Sequence, residues 1–202
     1  MFKFLLLCSL ALCFALTGAV INASAQDPDA NNPLIWKPER GRLQYGFGYQ
    51  YQHFVVFGTT FNTHGYNVDV NGHLFDAVTG ADGRLTVTLE GMGAFGFGGH
   101  TTGKTSADAK SLFLGAGPRL TIENKGRIEP WVHGLLGWEH LRFSQGPVLG
   151  SNSALGYMLG AGFDVKLGRQ IYWRIQGDYI GTRFQSDLQS NWSVGTGLMF
   201  NF

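Results

Sequence analysis

From Trp192 to Phe202 the chain alternates residue by residue. Trp192, Val194, Thr196, Leu198, Phe200 and Phe202 fall on one side, and Asn191, Ser193, Gly195, Gly197, Met199 and Asn201 on the other. Successive side chains of a strand point to opposite faces, so this order separates a bulky face from a small, largely polar one. The same period of two recurs in seven segments upstream, which points to one sheet made of eight such strands. Closing that sheet on itself leaves no unpaired edge.

The seven upstream segments are Leu43 to Gln52, Gly65 to Leu74, Leu85 to Phe95, Ser111 to Ile122, Ile128 to Leu141, Leu155 to Leu167 and Ile171 to Thr182. In the sixth, Leu155, Tyr157, Leu159, Phe163, Val165 and Leu167 oppose Asp164 and Lys166. Each segment is long enough for the roughly 9–11 residues that a tilted strand needs to cross a bilayer. The connections alternate in length. Residues 123–127 and 168–170 read as tight turns, whereas Phe54 to His64, Phe97 to Ala109, Arg142 to Ser153 and Arg183 to Ser190 read as longer loops. Phe75 to Arg84 is long for the end at which it falls, so the strand ends there are the least defined.

Residues 1–25 read as a cleaved targeting segment: Lys3 is its positive start, Phe4 to Val20 its apolar stretch, and Ala23-Ser24-Ala25 its cleavage site. Gln26 to Arg42, with Pro28, Pro33 and Pro38, reads as an irregular lead-in, and 43–202 as the sheet. Beyond the targeting segment no apolar run reaches the roughly 18 residues of a spanning helix. Cys8 and Cys13 both precede the cleavage site, which leaves no disulfide and no cysteine metal ligand in the mature chain. With Lys3 removed, the remaining Lys and Arg balance the 14 Asp and Glu, which excludes the basic face that nucleic-acid binding needs. The 30 glycines and many aromatics suit a membrane barrel with aromatic girdles.

Together, the targeting segment, the eight alternating strands and the terminal Phe202 resemble the small outer-membrane β-barrel superfamily. That superfamily holds the transmembrane domain of outer-membrane protein A, the opacity-like proteins and the OmpX-type barrels. The resemblance covers Leu43 to Phe202 and implies an eight-stranded antiparallel up-and-down transmembrane β-barrel in the cell outer membrane. It implies contact with outer-membrane lipids including lipopolysaccharide, and handling by periplasmic chaperones and the barrel-assembly machinery. It also makes the last strand, with Trp192, Phe200 and Phe202, the expected assembly signal. The barrel is expected to be monomeric. No peptidoglycan-binding domain follows the strands, so a cell-wall tether is not implied.

An eight-stranded barrel is just wide enough for its inward side chains to fill it. Counted from the strand ends, Glu90, Arg119, His133, Asp164 and Arg174 reach similar depth on adjacent strands. Buried charges must pair, so these five are expected to form an ion-pair network that plugs the lumen. The rival reading is a narrow porin-like channel or a passage for a hydrophobic ligand. Loop one, with Phe54, Phe57 and Phe61, is apolar enough to be a candidate interaction site; the alternative is that the first strand continues beyond the lipid and packs against its neighbour.

Signals for chemistry are weak. Gly98 to Thr105 matches a phosphate-binding loop and Gly91 to Gly96 a dinucleotide fingerprint, but each mechanism needs a helix immediately afterwards, and none is expected. Gly150-Ser151-Asn152-Ser153-Ala154 faintly resembles the serine stretch of the lipid A deacylases, yet Leu149 stands where their histidine would be. His140 with Ser144 is the other candidate pair, with no carboxylate clearly placed to orient it. Six histidines show no metal-ligand spacing. The sequence therefore predicts no catalytic residue, no cofactor and no metal, and a structural or surface-interaction role.

Overall fold

A computed structural model of the protein describes residues 43–56, 59–80, 83–102, 105–145, 148–184 and 187–202. The targeting segment and the lead-in lie outside the described residues. The chain forms eight strands: β1 (Leu43–Val56), β2 (Thr59–Gly80), β3 (Gly83–Thr102), β4 (Thr105–Asn124), β5 (Ile128–Gln145), β6 (Val148–Lys166), β7 (Ile171–Phe184) and β8 (Asp187–Asn201). Each pairs antiparallel with the next, and β1 pairs with β8 to close the barrel. The up-and-down barrel read from the alternation is therefore the fold.

Followed from strand to strand, the register runs from Arg119 through His133, Gly160, Asp178, Ser193, Gln52, Thr63 and Gly98 to Ala109. One circuit thus returns to β4 ten residues away. Such a stagger goes with strands tilted by roughly 35–45° to the barrel axis. Residues opposite one another in register are consequently not at the same height.

Alternation survives intact along the middle of every strand. Phe47, Tyr66, Leu136, Leu155, Leu159 and Leu198 stand exposed on the outer wall, while Gln44, Asn67, Glu90, Arg119 and Asp164 are buried inside. The barrel's near end carries Leu43, Phe202 and the β2–β3, β4–β5 and β6–β7 turns; the far end carries the other four hairpins.

The strands run well past the predicted boundaries at the far end. Val56 pairs with Thr59, Thr102 with Thr105, Gln145 with Val148 and Phe184 with Asp187, so the four segments read as long loops are mostly strand. Beyond the apolar belt both faces of a strand can be polar. The period of two then fades from the sequence although the backbone ladder continues. The segment from Phe75 to Arg84 is also hairpin rather than loop. Register shifts between His73 and Phe75 and between Asp76 and Val78 break the alternation there. Asp76 pins this corner, accepting from Arg84 Nη1 at 2.6 Å and from Thr86 Oγ1 at 3.2 Å, while Arg84 Nε donates to Glu123 at 2.9 Å.

Candidate functional site

The lumen is layered rather than uniformly polar. Toward the near end lies the charged layer. Arg119 Nη2 donates to Asp164 Oδ2 at 2.8 Å, and Arg174 donates to both oxygens of Asp164 at 3.0 and 3.2 Å. His133 Nδ1 lies 2.8 Å from Glu90 Oε2. Arg174 and Arg119 also approach Glu90 Oε1, at 3.6 and 3.9 Å. All five residues singled out from the sequence are thus in one connected network, each 5% exposed or less.

Three members escaped the sequence reading. Asp69 sits 3.5 Å from Arg174 Nη1, Asp178 sits 3.2 Å from His133 Nε2, and Trp131 donates its indole N–H to Asp164 at 3.1 Å. The guanidinium carbons of Arg119 and Arg174 lie 4.1 and 5.0 Å from the centroid of the Trp131 ring, a desolvated cation–π stack. Asp69 was missed because depth was counted from the end of β2, which the register shifts displace. Asp178 was missed because strand tilt carries it to the height of His133 from four residues beyond Arg174. Trp131 has inward parity, but an aromatic on a barrel strand reads as lipid-facing.

Glycine makes the network possible. A Cβ on Gly160 would fall 2.2 Å from Asp178 Oδ1 and 2.4 Å from His133 Nε2, so these two side chains meet directly over the bare backbone of β6. Gly162 leaves the same room for Trp131, whose ring a Cβ there would approach to 2.6 Å.

Above the charges, Met92, Ala94, Phe113, Leu135, Met158 and Ile180 form a buried apolar cluster. Phe113 is its centre. Cβ atoms on Gly115 and Gly137 would lie 2.6 and 2.8 Å from its ring, so the ring lies over the stretch of β4 and β5 that carries no inward side chain. A polar layer follows, in which Gln52 Oε1 accepts from Ser111 Oγ at 2.6 Å and from Thr63 Oγ1 at 3.2 Å. A second apolar cluster of Phe54, Phe61, Ala109 and Leu141 caps the far end. Of the two readings of loop one, the structure corrects the surface patch and shows the strand continuing: Phe54 and Phe61 are register partners facing the lumen, 1% and 8% exposed. Phe57 lies outside the described residues. These residues were read as a loop because three apolar side chains so near a hairpin tip match neither a lipid face nor an ordinary polar lumen.

On the outer wall, Trp192 stacks on His53 at 5.1 Å, and Phe202 meets Tyr45 edge-on at 6.0 Å at the other end of the last strand pair. Trp192, Phe200 and Phe202 all point outward, being 44%, 37% and 70% exposed. His140 bonds not to Ser144 but to Ser153 Oγ, at 2.7 Å across β5 and β6. Trp138 stacks on its ring, and among the described residues no carboxylate bonds to it. Of the two glycine motifs, Gly91 to Gly96 is within β3; of Gly98 to Thr105, the described residues are the end of β3 to Thr102 and the first residue of β4.

No protein-family model matches the chain, and no curated protein does. Solved structures do. Neisserial surface protein A aligns with a TM-score of 0.60 and 8% identity over 80% of this chain and 98% of its own. The attachment invasion locus protein of Yersinia pestis, solved in complex with the heparin analogue sucrose octasulfate, aligns with a TM-score of 0.51 and 20% identity over 80% of this chain and 99% of its own. At these identities the likeness is one of fold, and the fold of this chain is that of the small eight-stranded outer-membrane β-barrels.

Proposed function

We propose that this protein is a non-enzymatic outer-membrane barrel whose lumen is closed and whose work is structural or done at its outer surface. The near end faces the periplasm and the far end the exterior, as expected for barrels with shorter turns on the periplasmic side. One observation supports the reading: the ion-pair network and the apolar Phe113 cluster occupy successive levels of the lumen. Ions crossing an eight-stranded barrel need a continuous file of water, and an apolar septum denies it. Water can enter from below, because Asn67 Oδ1, Asp69 Oδ1 and the Asn71 amide are buried without a hydrogen-bond partner among the described residues, at a cost of about 1–3 kcal/mol each unless hydrated. It stops at Phe113. The direct test is planar-bilayer recording of the refolded protein. Conductance at the noise level is expected, and steady open channels in the wild type would replace this reading with that of a pore.

A second reading, lateral passage of a hydrophobic ligand, has one feature in its favour. A recess of about 660 Å³ on the outer wall lies over the His133–Asp178 pair, between Leu159, Tyr179, Trp192 and Val194, where Ala161 and Gly177 thin the wall. Filling it with Gly177→Leu should leave every property of a closed barrel unchanged, whereas a ligand path would lose uptake of its ligand.

A further inference from the structure

We infer that Lys110, Arg142 and His140, with Ser151 and Ser153, form a site on the outer wall for the phosphate of an outer-leaflet lipid headgroup. This deepens the outer-membrane reading and rests on it.

The register builds the cluster. Lys110 lies opposite Arg142 and Arg142 opposite Ser151, while one row below Leu112 lies opposite His140 and His140 opposite Ser153. Lys110, Arg142, Ser151 and Ser153 are exposed on the outer face. Directly opposed residues hold their Cβ atoms roughly 4.5–5.5 Å apart, and like charges in that position repel. Among the described residues neither Lys110 nor Arg142 forms an ion pair, whereas Arg84, Arg119, Lys166 and Arg174 are all bridged. The nearest acid, Asp108, stands one outward row further from the membrane, opposite Ser144, and bridges neither cation. An anion seated beside Arg142 offsets that repulsion.

Position selects the anion. Below the cluster the outer face is apolar, with Leu114, Leu136, Trp138 and Leu155, so the first cationic row stands where acyl chains give way to headgroups. The ring of Trp138 stacks on His140 at 5.5 Å and 14°, an aromatic anchor at that boundary. His140 holds Ser153 Oγ at 2.7 Å, which fixes one hydroxyl. A recess of about 190 Å³ opens between His140, Arg142, Gly150 and Ser151, and a Cβ at Gly150 would meet nothing within 4 Å. The recess offers a guanidinium, an imidazole and a hydroxyl to an oxyanion whose chains continue down the apolar wall. A free anion lacks that second half of the contact.

The test is native mass spectrometry of the refolded full barrel released from micelles doped with bisphosphorylated lipid A, dephosphorylated lipid A, or inorganic phosphate alone. Wild type should retain the bisphosphorylated lipid and neither of the others. With each cation at an anionic surface contributing about 1 kcal/mol, the Lys110→Ala/Arg142→Ala variant should bind roughly 30-fold more weakly. Arg127→Ala/Arg169→Ala, which removes the same charge at the near end, should bind as wild type does. Undiminished retention by the first variant overturns the site, and equal loss in both variants reduces it to net charge. Equal retention of the dephosphorylated lipid assigns the contact to acyl chains, and retention of inorganic phosphate assigns it to a free anion. Every variant is first checked for a mobility difference between unboiled and boiled protein. A wild type without that difference speaks against the barrel reading, not the site; if only the double variant lacks it, Lys110→Ala alone decides, with about a fivefold loss expected.

Discussion

Arg119→Ala isolates the energetics of the lumen. The guanidinium stands 2.8 Å from Asp164 and 3.9 Å from Glu90, and the side chain is 1% exposed, so water cannot screen its loss. Removing one member of a buried pair typically costs about 3–5 kcal/mol, chiefly through the charge left behind. Asp164 would keep Arg174 at 3.0 Å and the Trp131 indole, and Glu90 would keep His133 at 2.8 Å, so neither is stranded entirely. The lower end of the range, about 3 kcal/mol, is the expected loss. Geometry also ranks the couplings. A double-mutant cycle with Asp164→Asn should give an interaction of about 2 kcal/mol, and one with Glu90→Gln under about 1 kcal/mol, since the second contact is longer. The assay is urea unfolding in lipid vesicles, followed by the ratio of compact to extended bands in unboiled samples. A loss below about 1 kcal/mol for Arg119→Ala, the scale of a surface pair, would refute the view that the network is a desolvated unit. A reversed order of the two couplings would refute the register that builds it.

Phe113→Ala should cost about 3–5 kcal/mol, the usual range for a buried phenylalanine, and combined with Arg119→Ala it should open measurable conductance that neither change produces alone. Channels from Arg119→Ala by itself would assign the whole closure to the charges. Gly160→Ala places a methyl 2.2 Å from Asp178 Oδ1, so the 3.2 Å contact between Asp178 and His133 must break. The variant should unfold at lower urea than wild type, and Ala161→Gly beside it, on the outer face, should not. Replacing both Phe200 and Phe202 with Ser removes two outward aromatics from the face that must enter lipid, and the protein should be exported yet stall in the periplasm. Normal insertion of that variant, assayed by membrane fractionation, would exclude the last strand as an assembly signal.

The barrel was legible from sequence because lipid imposes a rule that every membrane-crossing residue obeys. Tyr45, Phe47, Tyr49 and Tyr51 must alternate with small or polar partners whatever the neighbouring strands are, so strand number, facing and closure follow from period alone. Where lipid ends the rule ends. The far halves of the hairpins looked like loops, and the register shifts around Asp76 hid the near end of β2. The lumen was half legible: parity puts Glu90, Arg119 and Asp164 inside and buried charge demands partners, but parity carries no height. Only the closed barrel, with its ten-residue stagger, decides that Asp178 meets His133 over Gly160 and that Asp69 reaches Arg174. Tertiary structure alone also turns Phe54 and Phe61 into a cap and lays Phe113 across the glycines of β4 and β5, because which inward side chains share a cross-section depends on strand tilt, a property of the closed sheet and not of any one strand.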